Sequence, residues 1–515
     1  MTHGYMLSGS GSNVYVQNLC RALAREGHEV HLLCQEPQPL DHDFVDEYAT
    51  VNADDIEYRS RQETPYPGRC AVYNPEIGGL LPVYVYDDYP GWRVKTFLDL
   101  TDEELDHYLK TNVAAVRTIL RVSGASAVVT NHSVPGPLIA RRALEVEESG
   151  VPYVSIVHGS CLQYVSRRSD KYMRMTRDGL EGAKNILALS RHSAGTIAED
   201  FPDMEKKTIA LPGGVDTDLF YPGALDPDTL KDLGGGSGRG PDQATALERA
   251  IAHSTNAAEL AEALRAISAS YDARAHDHDA GERLSAILAD DAPLVVYVGK
   301  LIHSKGVHSL LSAFAHIHRE TGARLLIVGF GTFREALETL TRALGIGEER
   351  TIRLLAENGP LFEGREAAPM EHFTLSEALF RDAAGMEEAV EFIGPLNHAE
   401  LAKLLPAADA GVVPSIFPET FGLVAAEFAA AGVPPFVADH SGLREAGGIV
   451  GHGLPFDLRV GMDSFEENLA RALTGYLSLP EGERRRCREI VRRNSVERLS
   501  WGTLANDVAR IAAGE

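Results

Sequence analysis

A chain of 515 residues is too long for one ordinary domain and suits two or three. Its net charge of -25 argues against broad contact with nucleic acid or an anionic membrane, so any anionic ligand must be met by local lysines, arginines or helix N-termini. There is no apolar run long enough for a bilayer and no charged-then-apolar signal pattern, and the five scattered cysteines lack a CxxC pair, which points to a reduced cytoplasm and away from structural zinc.

In chain order, MTHGYML (1–7) is a poor strand, and it feeds a glycine-rich turn, SGSGS (8–12). A helical pattern, NVYVQNLCRALAREG, follows and stops at Gly27. A doubly wound domain wants an apolar strand, normally the central one, before such a turn. Either that strand is very short or the true start lies upstream of Met1, and the composition of 1–7 favours the second. Apolar runs then recur between helical patterns: EVHLLC (29–34), SAVVTN (126–131), PYVSIVHG (152–159), NILALS (185–190) and TIALPGG (208–214). A second series comprises PLVVYVGK (293–300), ARLLIVGFG (323–331), AVEFIGP (389–395), AGVVPS (410–415) and PPFVAD (434–439). Short β-branched runs alternating with helices predict parallel sheets, hence an α/β chain of two doubly wound domains that bind ligands beyond the carboxyl ends of their strands. Between the series, Ala224 to about Asp290 reads as an insertion. Its glycine-rich start, 234–238, has linker composition and is expected to be partly disordered, and an alanine-rich helical pattern follows around 247–267. Residues 345–388 show no clear period.

Gly9 and Gly11 can turn backbone N–H groups toward a phosphate or sugar, or simply make a tight turn. A dinucleotide fingerprint would need a third glycine where Val14 stands, with Glu36 as its acidic partner. His158, in VHGS at a strand end, faces a cleft or satisfies a loop carbonyl, and His132 is placed similarly. Lys300 and Lys305 in VGKLIHSKG form either an anion clamp or two surface lysines. In PETFGLVAAE, Glu419 lies on a loop and Glu427 about a turn into a helix that ends at Gly432. No Asp or His of suitable spacing joins them as metal ligands, whereas each carboxylate offers two oxygens to adjacent hydroxyls. The N–H groups near Phe421, Gly422 and Leu423 are helix-start donors. The bland reading is a solvent-facing Glu427 and a capping Glu419.

With these residues in place the chain resembles glycosyltransferase family 4, whose E-x7-E motif is matched by Glu419 and Glu427 around FGLVAAE. GSGSNVYVQNLCRALAREGHEV, VHGS, LPGGVDTDLF (211–220), VGKLIHSKGVHSLLSAF, LLIVGFG, VEFIGPL, PSIFPETFGLVAAEFAAAGVP and DHSGLREAG fall in that family's order. The resemblance implies the GT-B fold, two doubly wound Rossmann-like domains facing a central cleft. It implies an acceptor-side domain over 1–212 and a nucleotide-sugar domain over 213–496 carrying the insertion, with 497–515 returning to the first domain. It implies a retaining hexosyltransferase that needs no metal or cofactor, uses a nucleotide-diphosphate sugar, and serves a small-molecule, glycan or lipid-linked hydroxyl acceptor in the cytoplasm. Glu419 would bind hydroxyls of the transferred sugar, Glu427 the ribose, Lys305 the diphosphate, and His158 the sugar near the reaction centre. Lys300 stands where the family usually has arginine and so lacks the bidentate fork. Gly422 and Leu423 would offer N–H groups beside Phe421, Gly394 to Leu396 would lie along the nucleobase, and Gly9, Gly11, Ser12 and Asn13 would shape the acceptor side. The alternatives are a non-catalytic sugar-nucleotide binder, a GT-B phosphorylase or epimerase, and a nicotinamide-dependent dehydrogenase. Tyr89, Trp92, Arg93 and Lys95 either meet an acceptor or pack a loop, and the oligomeric state stays open.

Overall fold

The apolar runs form parallel strands because their side chains are buried on both faces; all five residues of Tyr153–Val157, for example, are buried. The computed structural model describes residues 1–8, 11–52, 55–86, 89, 91–223, 230–231, 233–234 and 236–514. They form two units, Met1–Gly214 with Leu499–Glu515, and Val215–Arg498.

In the first unit, strands Val128–Asn131, Tyr153–Val157, Asn185–Ala188 and Thr208–Ala210 pair in parallel in that order. Glu29–Leu33, Arg69–Pro75 and Glu47–Val51 also run parallel, and Ile56–Arg61 adds an antiparallel edge. Residues 1–5 occupy the gap between these halves. Thr2 bridges to both Leu33 and Thr130. Thr2 N donates to Val129 O at 2.9 Å, His3 N to Leu33 O at 2.8 Å and Asn131 N to Thr2 O at 3.1 Å. The weak strand character of MTHGYML is therefore compensated by backbone pairing on both sides. Glu36, the acidic partner the dinucleotide reading required, is buried, and its Oε2 accepts from Leu7 N at 2.8 Å. It ties down the segment leading into the glycine-rich turn. Helix Trp501–Ala513 belongs to this unit, with Trp501 edge-on to Tyr15 at 5.1 Å. A Cβ on Gly214 would lie 2.6 Å from the Trp501 ring, so glycine is required there.

The second unit has a six-stranded, all-parallel sheet. Numbered by chain order within the unit (Leu294–Val298, Arg324–Val328, Val390–Phe392, Ala410–Val413, Pro435–Ala438, Arg459–Val460), its strands lie in the order 3-2-1-4-5-6. The direction of winding reverses between Leu294–Val298 and Ala410–Val413, and a doubly wound sheet opens its ligand crevice at that point, beyond the carboxyl ends. Arg492 gathers three carbonyls: Phe220 O at 2.7 Å, Ala430 O at 2.7 Å and Thr217 O at 3.0 Å.

The insertion differs from its expectation. Residues 224–229, 232 and 235 lie outside the described residues, but Gly234 and Gly238 are packed rather than loose, while Gly236 faces open space. A Cβ on Gly234 would lie 2.4 Å from His278 O, and one on Gly238 only 1.8 Å from His276 O. Glycine serves close backbone approach here, and His278 N donates to Arg239 O at 2.7 Å. The alanine-rich stretch is two helices, Pro241–His253 and Ala257–Ser268, broken where Asn256 caps the second. Asp277, 1% exposed, takes both arms of Arg334 at 2.8 and 2.6 Å and Arg283 Nη2 at 2.6 Å, and the Arg283 Nη1 donates to Phe392 O at 2.7 Å. A buried carboxylate is tolerable only when paired in this way. The aperiodic 345–388 stretch contains the helix Glu349–Glu357.

Candidate functional site

Two loops meet at the switch point. Strand Leu294–Val298 leads through Lys300 to the turn His303–Lys305, and strand Ala410–Val413 leads to Glu419. Gly306, at φ 69°, lets them touch, because a Cβ there would lie 2.1 Å from Pro414 O. Ile416 N donates to Ser304 O at 3.0 Å. Lys305 Nζ makes an ion pair with Glu419 Oε1, with both side chains half-buried. Ser415 Oγ donates to the same oxygen at 2.7 Å. The structure thus brings Lys305 and Glu419 together, across 114 residues of chain. Lys300 is exposed on the same loop, and its carbonyl accepts from Tyr297 Oη at 2.9 Å. Burial, then the Glu419 charge, pushes the Tyr297 phenol well above its ordinary pKa.

Phe421, 2% exposed, anchors the second loop in the core. Gly422, at φ 109°, opens the helix Leu423–Ala430, whose start has no side-chain cap. That leaves N–H groups of the first turn available to an anion. Glu427 projects from this helix, and His398 Nε2 lies 3.3 Å from its Oε1. The hydrogen bond to Glu427 outweighs burial and raises the His398 pKa above 6.5. In an NMR titration His398 is expected to have a midpoint above 6.5, and Glu427→Gln should bring it down; an unchanged midpoint would break the pairing. Gly394 and Leu396 lie on the loop after Val390–Phe392, two residues before His398. Gly394 has φ 80°, and a Cβ there would meet Asp277 Oδ1 at 2.7 Å, so the insertion abuts this loop.

In the first unit, His158 follows strand Tyr153–Val157 and is 6% exposed. Asn131 Nδ2 donates to Thr2 O at 3.2 Å, which turns Asn131 Oδ1 to His158 Nε2 at 3.3 Å. His158 therefore donates from Nε2. Burial, with His3 nearby, pushes its pKa down to about 3, so the ring is neutral. His132, 1% exposed with φ 70°, lies tilted against His158 with ring centroids 4.8 Å apart, and neither of its ring nitrogens has a hydrogen-bond partner among the described residues. Gly11 opens the helix Gly11–Arg25 and faces open space. Ser12 is half-buried, and Gly9 lies outside the described residues. Asn13 is buried, its Oδ1 3.1 Å from His3 Nε2 and its Nδ2 donating to Ser8 O at 2.6 Å. It shapes the turn from inside. Lys95 pairs with Glu104 at 2.8 Å, Arg93 with the same carboxylate at 3.3 Å, and Tyr89 and Trp92 pack on the core, so this loop follows its packing reading.

Sequence reasoning passed over His398, Ser415, His440 and Ser441. The first stands just past the FIGPL run and the last two inside DHSGLREAG, so proximity to known motifs was the available signal. Among the described residues no group of three or more His, Cys, Asp or Glu side chains is placed to hold a metal, and no helix is long and apolar enough to cross a membrane.

Residues 9–219 match the model for Glycosyltransferase Family 4, and residues 280–352 and 377–493 that for Glycosyl transferases group 1. Glycogen synthase of Mycobacterium tuberculosis (strain CDC 1551 / Oshkosh) is 31% identical over 221 residues, 42% of this chain and 41% of that protein. The match thus spans about two fifths of that relative's length. MMP alpha-(1->4)-mannosyltransferase of Mycolicibacterium hassiacum is 24% identical over 98% of this chain and 96% of its own. Anabaena Alr3699/HepE, solved in complex with UDP-glucose, superposes with a TM-score of 0.55 at 12% identity, covering 100% of both chains. The fold is that of the GT-B glycosyltransferases. The chain belongs to glycosyltransferase family 4.

Proposed function

We propose that this protein transfers a sugar from a nucleotide-diphosphate sugar to a hydroxyl acceptor, with retention of anomeric configuration, without a metal ion, and in the cytoplasm. The observation that carries the reading is the Lys305–Glu419 ion pair at the switch point of the second sheet, beside an uncapped helix start. Ammonium groups and N–H donors suit a diphosphate, and carboxylates suit vicinal hydroxyls.

As the bond from the anomeric carbon to the diphosphate oxygen breaks, negative charge grows on the leaving group. Lys305, Lys300 and the N–H groups of Gly422 and Leu423 stabilise it. Glu419 holds hydroxyls of the transferred sugar, and Glu427 exchanges His398 for the ribose hydroxyls. Gly394 to Leu396 lie along the base, Phe421 keeps the loop in register, and neutral His158 contacts the sugar. The acceptor hydroxyl loses its proton to a phosphate oxygen of the donor, so no dedicated protein base is required. Gly9, Gly11, Ser12 and Asn13 shape the acceptor side.

Incubation with UDP-, GDP- and ADP-sugars and a panel of hydroxyl acceptors tests this. Turnover of one donor, with calorimetric binding of its nucleoside diphosphate and none of NAD, is expected. Binding without transfer would move the protein to a non-catalytic role, and tight NAD binding would overturn the reading.

A further inference from the structure

Glu419 is held from every side, and the holders include two residues outside its own loop. Its N–H donates to Ser441 Oγ at 2.9 Å, and its carbonyl accepts from Gly442 N at 2.9 Å. Ser441 Oγ lies 3.0 Å from His440 Nδ1, and His440 Nε2 lies 2.6 Å from Ser415 O. Ser415 Oγ closes the ring by donating to Glu419 Oε1 at 2.7 Å.

The carbonyl, the carboxylate and the backbone N–H fix three of the directions in this ring. A carbonyl only accepts, so His440 Nε2 carries the proton. A ring protonated only there accepts at Nδ1, and Ser441 donates its hydroxyl to it. The Ser441 oxygen is left to accept from Glu419 N–H, while the carboxylate can only accept from Ser415. The ring also explains a strained residue. Ser441 sits at φ 47°, the left-handed region that favours glycine. A glycine would reach that conformation freely but would leave Glu419 N–H and His440 Nδ1 without the hydroxyl. Strain of this kind persists where surrounding bonds over-determine the backbone, and such sites cluster around function.

We infer that His440 and Ser441 are positioning residues that fix the place and orientation of the Glu419 carboxylate. The inference rests on the reading of Glu419 as a ligand of the transferred sugar. The two act through Glu419 and need not touch substrate. Small displacements of an orienting carboxylate are costly to transfer while leaving nucleotide binding in place, because the nucleotide is held elsewhere.

The test compares Ser441→Gly with Ser441→Ala. Both lose the hydroxyl, but only the glycine variant escapes the backbone strain. Expected is a fall in kcat of roughly tenfold in both, with nucleoside diphosphate affinity unchanged and Tm lowered in the alanine variant alone. Wild-type kcat in Ser441→Gly, or kcat tracking Tm across the pair, would overturn the inference. A second readout does not depend on turnover. In 15N-histidine spectra His440 should be protonated at Nε2 in the wild type, and a proton at Nδ1 would sink the brace. If the wild type moved no sugar from any donor, the proposed function would fall while the spectra still judged the brace.

Discussion

Acidification from pH 7 to pH 5 is expected to remove about 8 kcal/mol of unfolding free energy. The cause is a set of imidazoles buried in neutral form. Burial is the first cause in each case, and it lowers His3 to about 4, His158 to about 3 and His308 to about 3. His132 is pushed well below 6.5 by the same cause, with the His158 and His3 rings adding to it. The unfolded chain takes up a proton on each as the pH drops below 6.5, and the native state does not until near each depressed value. Their contribution is therefore intact above 6.5 and is lost as the pH falls toward 4. Linkage puts the loss at about 2 kcal/mol per histidine at pH 5. His3, His132 and His158 all lie in the first unit, so that unit should fail first. Both tryptophans of the chain, Trp92 and Trp501, lie there too, so intrinsic fluorescence reports on it selectively. Thermal melts followed by fluorescence at stepped pH should show a Tm that falls steeply below pH 6. A flat Tm between pH 7 and pH 5 would mean that these rings are hydrated or protonated in the native state.

Lys305→Ala is expected to lower kcat/KM for sugar transfer by about 10²–10³, the cost of losing one preorganised charge at a developing anion. The fold should survive, because a half-buried ion pair contributes about 1 kcal/mol or less to stability. Glu427→Ala should be comparably damaging through loss of the ribose contact, and here the effect should fall mainly on donor KM. Initial rates with the donor identified by the panel, together with circular dichroism of both variants, measure this. Near-normal turnover in both variants would remove the donor-site assignment.

The strands of both sheets were legible wherever a β-branched run sat between helical patterns, from Glu29–Leu33 to Pro435–Ala438. Arg69–Pro75 and Glu47–Val51 were missed, because their alternation is short and lies in a polar, loop-rich region. Residues 1–5 read poorly as a strand for a different reason. Pairing on two sides supplies what their composition lacks, and composition cannot reveal partners. The glycines at 234–238 were read as a linker, since sequence does not distinguish a loose glycine such as Gly236 from a crowded one such as Gly238. Within the site, charge and motif spacing exposed Lys305, Glu419 and Glu427. His440 and Ser441 stayed hidden because their meaning lies in a backbone angle and a ring of hydrogen bonds, neither of which is written in residue type.

Arg492 carries a consequence for the opposite end of the helix Leu423–Ala430. Its guanidinium sits on Ala430 O, in the last turn of that helix. Aligned peptide dipoles place about half a negative charge at that pole and half a positive charge at the other. A cation at the C-terminal pole neutralises the first and leaves the second unopposed at Gly422 and Leu423. In a chain with a net charge of -25, that local asymmetry favours an incoming anion at one end of a short helix, and a single arginine some sixty residues downstream maintains it.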